Sequence, residues 1–269
     1  MEAVMEDILV EEVGALVTIT LNRPERMNAF RQKTIQELNE VFASLSGRAD
    51  IGVVILTGAG DRAFCTGGDV KDFTVGSGYE GASWTGIGLE VERLHSLMRS
   101  LPQPVIAAVN GYAIGGGNVL QVVCDMSIAS DTAKFGQVGP KYGSFDAGFG
   151  TAYLARLVGE RKAREIWMRC KTYSAHEALD MGLINAVVPA DRLMEEAREW
   201  ANDVLALSPT SLKMIKYSLN ADSEHIAGIT QLSFAGLKMY YQGGEAEEGH
   251  AAFREKRAPD YSRFRKYDK

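Results

Sequence analysis

Two short runs, residues 51–56 (IGVVIL) and 104–109 (PVIAAV), are almost continuously apolar and rich in β-branched residues. A strand with no polar face has to be covered on both sides, which is the condition of a parallel sheet flanked by helices. Earlier in the chain, Val17, Ile19 and Leu21 alternate with Thr18 and Thr20, a two-residue period that predicts a strand ended by Asn22-Arg23-Pro24. Thr34 and Glu37 stand at capping-box spacing, and Ile35, Leu38, Val41 and Leu45 recur at helical intervals behind them. A second amphipathic helix is marked by Ile87, Val91, Leu94 and Met98. Strand, helix, strand, helix, strand predicts an α/β domain built from right-handed crossovers. From about residue 160 the pattern turns helical, over 160–170, 175–181, 193–207 and 209–220. No linker composition and no sequence repeat divides the chain. The expected organisation is an α/β core over 1–200 and a helical assembly region over 201–269.

Composition narrows the function classes. With 269 residues, 46% of them hydrophobic, the chain has enough apolar mass for a sizeable core, so global disorder is excluded. A formal net charge of -6 has the wrong sign for coating nucleic acid or an anionic membrane, so neither is an expected partner and any anionic ligand must be held locally. Cys65, Cys124 and Cys170 are odd in number and lack CxxC spacing, which fits a reducing compartment, and residues 1–7 hold acids but no apolar signal region. A cytoplasmic protein is expected. His95, His176, His225 and His250 show no metal-binding spacing, so no metal site is expected and core or solvated histidines are the default.

Two glycine clusters, residues 63–69 (AFCTGGD) and 111–118 (GYAIGGGN), follow the predicted strands and are read as strand-to-helix transitions. Glycine there lets the backbone approach a ligand and leaves N–H groups free to point into a site. Brought together, two such loops would offer a pair of N–H donors to one oxygen; taken singly, they read equally well as tight turns. Neither follows GxGxxG or GxxxxGK[ST], so a nucleotide loop is not indicated.

With LNRPERMNAF, LTGAGDRAFCTGGD, GYAIGGGNVL and EKRAPDYSRF in this order and spacing, nearly the whole chain resembles the crotonase, or enoyl-CoA hydratase/isomerase, superfamily. The resemblance implies a crotonase-like spiral of ββα units with a C-terminal helical trimerisation region, assembled as a homotrimer or homohexamer. It implies no permanently bound cofactor, coenzyme A arriving as part of the substrate. It also implies a thioester enolate held by two backbone N–H groups, which by position are those of Gly68 and Gly116.

The hydratases of that superfamily use two glutamates, and the matching positions here hold Val119 and Gly139, neither of which transfers a proton. The segment FGQVGPKYGSFDAGFG with the later AREIW instead resembles the branch of 2-ketocyclohexanecarboxyl-CoA hydrolase and 1,4-dihydroxy-2-naphthoyl-CoA synthase, which break or make a carbon–carbon bond beside a β-keto thioester. In that branch the matching polar active-site residues are Ser144, Asp146, Tyr241 and Tyr79. Asp146 is the expected proton carrier, and Ser144 and Tyr241 the expected hydrogen-bonding partners of a ring carbonyl or enolate. Synthases of this type hold bicarbonate beside a Gln-Thr-Gly segment facing a tryptophan; Gln137, Gly139 and Trp167 persist, but Val138 stands in place of the threonine. TGGD, GYAIGGGNVL and FGQVGPK resemble the hydrolase more, whereas Phe145-Asp146 resembles the synthase, and Val70 departs from both.

The same resemblance places Arg26, Met27, Ala29, Thr66, Gly67, Asp69, Val70, Tyr112, Ile114, Gly115, Val138, Gly139, Trp167 and Lys256 against substrate or coenzyme A. The glycine-rich loop 72–88, with Tyr79 and Trp84, is expected to form a flap over the acyl group. A non-catalytic homologue acting through assembly or RNA remains the alternative class, with the acidic balance against RNA.

Overall fold

The computed structural model describes residues 5–74, 78–79, 83 and 86–265. The chain opens with an antiparallel hairpin, β1 (Ile8–Val13) and β2 (Leu16–Leu21), followed by α1 (Gln32–Leu45). Next come β3 (Val53–Gly58), β4 (Ala63–Cys65), the small hairpin β5 (Phe73–Thr74) and β6 (Gly78–Tyr79), and α2 (Val91–Ser100). A second unit contains β7 (Val105–Val109), β8 (Tyr112–Ile114) and α3 (Gly116–Val123), and a third β9 (Met126–Ser130), β10 (Lys134–Gly136) and α4 (Gly139–Tyr142). The remainder is α5 (Ala152–Val158), α6 (Glu160–Arg169), β11 (Thr172–Ser174), α7 (Ala175–Asp180), β12 (Ala186–Val188), α8 (Leu193–Leu205), α9 (Pro209–Ala221), α10 (His225–Tyr241) and α11 (Gly244–Arg254).

The strands form a six-stranded sheet in the order β1-β2-β3-β7-β9-β12 and a four-stranded sheet in the order β11-β10-β8-β4. Each of the three units places its first strand in the large sheet and its second in the small one, then returns by a helix. This is a spiral of ββα turns. The large sheet is parallel from β2 onward, and the apolar runs that predicted it are buried on both faces. Val54, Leu56, Ala107 and Val109 face the main core, while Val53, Ile55, Ile106, Ala108 and Ile128 face Leu193, Ala197, Ala201 and Val204 of α8. Alternation of side chains along a strand is what splits one apolar run between two cores.

The structure revises several local expectations. Thr34 lies at the third helical position of α1 rather than at its cap, accepting from the Arg31 N–H, and Glu37 reaches back to the N–H groups of Glu6 and Asp7. Only the second glycine cluster opens a helix; Gly68 pairs as an isolated bridge with Phe30 and is followed by a turn. The boundary drawn at 200/201 falls inside α8, and Ile226, Phe234, Leu237 and Tyr241 of α10 belong to the same core as the sheets. Among the described residues, no helix is long and apolar enough to cross a membrane.

Candidate active site

A cavity of about 160 Å³ opens where the two glycine loops, α4, α10 and the hairpin β5–β6 converge. Of the expected site residues it gathers Gly67, Gly68, Gly115, Gly116, Thr66, Val70, Tyr79, Val138, Gly139, Ser144, Asp146, Trp167 and Tyr241. Arg26, Met27, Ala29, Asp69, Tyr112, Ile114 and Lys256 are not among its lining residues. Trp84 lies outside the described residues.

Gly67 and Gly116 hold the loops in contact. Gly67 has φ +82°, and a Cβ there would sit 3.0 Å from the Gly116 nitrogen and 3.2 Å from the Ile114 carbonyl. The bridge to Phe30 uses the Gly67 carbonyl (2.8 Å) and the Asp69 N–H (2.8 Å), passing over the Gly68 N–H between them. Gly116 opens α3, where a first-turn N–H has no intrahelical acceptor. Among the described residues, two unengaged donors therefore lie on adjoining loops. The Phe30 ring backs them so closely that a Cβ on Gly116 would lie 2.7 Å from its Cζ.

Beneath the first loop, Arg23 pairs with Asp69 at 3.0 Å, both side chains nearly fully buried, and also donates to the Ala29 carbonyl. The Asn28 amide bonds the carbonyls of Ala59 (3.0 Å) and Ala63 (2.7 Å), and Thr66 donates to the Met27 carbonyl. Asp69 and its neighbours thus brace the loop from behind. Tyr112 is exposed on β8, and Lys256 is exposed beyond the end of α11.

The polar groups cluster on the other wall. The Ser144 and Tyr241 hydroxyls are 3.1 Å apart, and burial pushes the Tyr241 phenol up to about 12, with the Ser144 bond opposing the shift. Asp146 accepts a hydrogen bond from the Gly150 N–H at 3.1 Å, yet burial raises its carboxyl to about 7. A carboxyl with that value shuttles protons at neutral pH. Tyr79 brings its hydroxyl to Gly68, where an added Cβ would lie 1.9 Å from it; burial foremost, then Tyr241 and Asp69, holds the phenol well above its ordinary value. Phe73 packs between these groups, its ring centroid 5.5 Å from Tyr79, 4.7 Å from Tyr241 and 4.1 Å from His250.

Trp167 acts through the backbone. Its indole N–H donates to the Gly150 carbonyl at 2.6 Å, and Gly150 in turn holds Asp146. Val119 is buried in α3, and a Cβ on Gly139 would lie 2.8 Å from the Ser144 carbonyl and 3.2 Å from the Trp167 ring, so residue 139 has no room for an acid.

Sequence reasoning overlooked Phe30, Phe234 and Leu237 as lining residues, and treated His95 and His250 as ordinary. For His95 a signal existed: with Val91, Leu94 and Met98 it shares the apolar face of α2.

The family model described as enoyl-CoA hydratase/isomerase matches residues 11–264. Among solved structures, an enoyl-CoA hydratase from Mycobacterium avium subsp. paratuberculosis superposes with a TM-score of 0.85 at 27% identity, covering 96% of this chain and 99% of that one. An enoyl-CoA hydratase/isomerase from Pseudoalteromonas atlantica gives 0.86 at 28%, covering 95% and 100%. A carnitinyl-CoA hydratase from Mycobacterium avium gives 0.83 at 28%, covering 96% and 98%.

Proposed function

The chain belongs to the enoyl-CoA hydratase/isomerase family, and from that premise we propose that it opens the ring of a cyclic β-keto acyl-CoA, as a 2-ketocyclohexanecarboxyl-CoA hydrolase does. One observation carries this reading: among the described residues the only carboxyl lining the cavity is that of Asp146, close in the chain to the Ser144–Tyr241 pair, while Val119 and Gly139 stand where hydration would require acids.

The thioester carbonyl rests on the Gly68 and Gly116 N–H groups. Asp146 as carboxylate removes a proton from water, and the hydroxide adds to the ring ketone, whose oxygen Ser144 and Tyr241 hold. Collapse of that adduct breaks the bond between the ketone carbon and the α-carbon. The electron pair becomes a thioester enolate on the two glycine donors, and Asp146 returns its proton to the α-carbon. Ketone and water thus give one carboxylic acid, and the product is a linear dicarboxylic mono-CoA thioester. Each preorganised donor of this kind contributes roughly 3–4 kcal/mol.

The residues do not fit a bicarbonate. Val138 lacks a hydroxyl and the Trp167 N–H is taken by Gly150, so of the three groups such an ion would meet only the Gln137 amide is free, and no step passes through it.

The test offers 2-ketocyclohexanecarboxyl-CoA, o-succinylbenzoyl-CoA and crotonyl-CoA in parallel in heavy-oxygen water, with products identified by mass. The expected result is a ring-opened product labelled in its free carboxylate and not in its thioester, with negligible hydration of crotonyl-CoA. A cyclised product from o-succinylbenzoyl-CoA would assign the synthase direction. A 3-hydroxyacyl-CoA, or free CoA, would replace carbon–carbon cleavage with hydration or thioester hydrolysis.

A further inference from the structure

Three polar side chains line the cavity without any partner among the described residues: both ring nitrogens of His95, both amide atoms of Gln137, and Nδ1 of His250. His95 is 1% exposed and Gln137 fully buried. A buried polar group left unpaired loses its hydration without compensation, a penalty that native proteins rarely carry without a use. The ring-opening steps employ Asp146, Ser144, Tyr241 and the glycine donors; they leave His95 idle.

His95 lines the cavity from α2, and its ring meets the Phe149 ring edge-on at 5.7 Å. Neither ring nitrogen of His95 finds a hydrogen-bond partner among the described residues. We propose that the acyl group bound here carries a second oxygen substituent, a ring hydroxyl remote from the thioester, and that His95 is the specificity residue that holds it. This rests on the reading of the cavity as an acyl-CoA site.

The chemistry of the imidazole narrows the ligand. Burial lowers His95 to about 3, so the ring is neutral and presents one N–H donor and one lone pair. A hydroxyl can accept from that N–H or donate to that lone pair, so it can partner either nitrogen. A site built around such a bond discriminates strongly against an analogue lacking the hydroxyl, because the analogue strands the protein group.

The test measures binding of two thioesters that lack the ring ketone and cannot be opened, cyclohexanecarboxyl-CoA and 4-hydroxycyclohexanecarboxyl-CoA, by titration calorimetry. Wild-type protein is expected to bind a hydroxylated thioester at least about tenfold tighter. His95→Leu should abolish that preference while leaving the unsubstituted thioester's affinity within about threefold, and His95→Gln, which keeps a donor and an acceptor, should retain part of it. Equal binding of both thioesters by the wild type, or a preference surviving in His95→Leu, overturns the assignment; the wild-type comparison decides even if the leucine variant does not fold. Because no thioester in this set is turned over, failure of ring opening is read separately, from the 2-ketocyclohexanecarboxyl-CoA reaction. Absence of binding by either thioester refutes the acyl-CoA site and this inference with it.

Discussion

At the scale of single residues the site is governed by one displaced carboxyl. Asp146 reaches about 7 because burial disfavours its charge more than the Gly150 N–H favours it. As a base it must be ionised, so kcat/KM is expected to rise through about pH 7. Its effect on stability runs the opposite way. The folded value lies above the ordinary 3.8, so the native state binds the extra proton between the two values, and stability is lost as pH climbs from about 4 to about 7. Asp146→Asn keeps the shape and removes both effects. Turnover should fall by roughly 10²–10⁴-fold with coenzyme A affinity nearly unchanged, while the thermal midpoint rises by about 3–8 °C near neutral pH and less in mild acid. A variant that keeps its turnover, or whose stability gain is independent of pH, would show that the carboxyl is neither the base nor the source of the pH dependence. Position 146 was legible through the FGQVGPKYGSFDAGFG motif; its elevated value was not, because it comes from burial, and burial is set by packing that a linear motif does not display.

Among elements, the decisive contact is between loops at the ends of β4 and β8. Removing the Gly116 N–H by Gly116→Pro would also drive the ring into Phe30, whose Cζ lies 2.7 Å from the position of a Cβ there. Loss of activity in that single variant would confound two causes. Phe30→Leu provides room: in that background Gly116→Ala, which retains the N–H, should keep turnover within about tenfold, whereas Gly116→Pro should lose a further hundredfold or more with the far-ultraviolet spectrum unchanged. Equal turnover of the two double variants would remove Gly116 from the oxyanion hole. The glycines themselves stood out in the sequence. Phe30 did not, since its place behind them follows from a bridge to Gly68 thirty-eight residues further on.

For the whole molecule, the C-terminal helices serve the core and also present an unpaired face. Leu237 and Tyr241 of α10 are buried, so truncating the chain just before Leu237 would strip core as well as site and would be a poor test of either. On the outer side of α10, Leu232 and Met239 lie two turns apart and are 75% and 74% exposed, with Met214 and Leu219 of α9 comparably bare. An assembly of three or six chains, expected from the family resemblance, has an apolar surface here on which to close. Sedimentation should give a mass of three or six chains for the wild type and a smaller one for Leu232→Glu/Met239→Glu; an unchanged mass in the double variant would place the interface elsewhere. The sequence by itself determined the parallel sheet, because residues 51–56 and 104–109 have no polar side to offer water, and it marked the two glycine loops that meet at the cavity, because such motifs are local. Only the tertiary structure decided the rest. Strands β4, β8 and β10 have three residues each, too few to show a period, and they form a second sheet solely by lying beside one another. His95, Gln137 and the Trp167–Gly150–Asp146 relay acquire meaning from what surrounds them, and those surroundings are assembled by segments far apart in the chain.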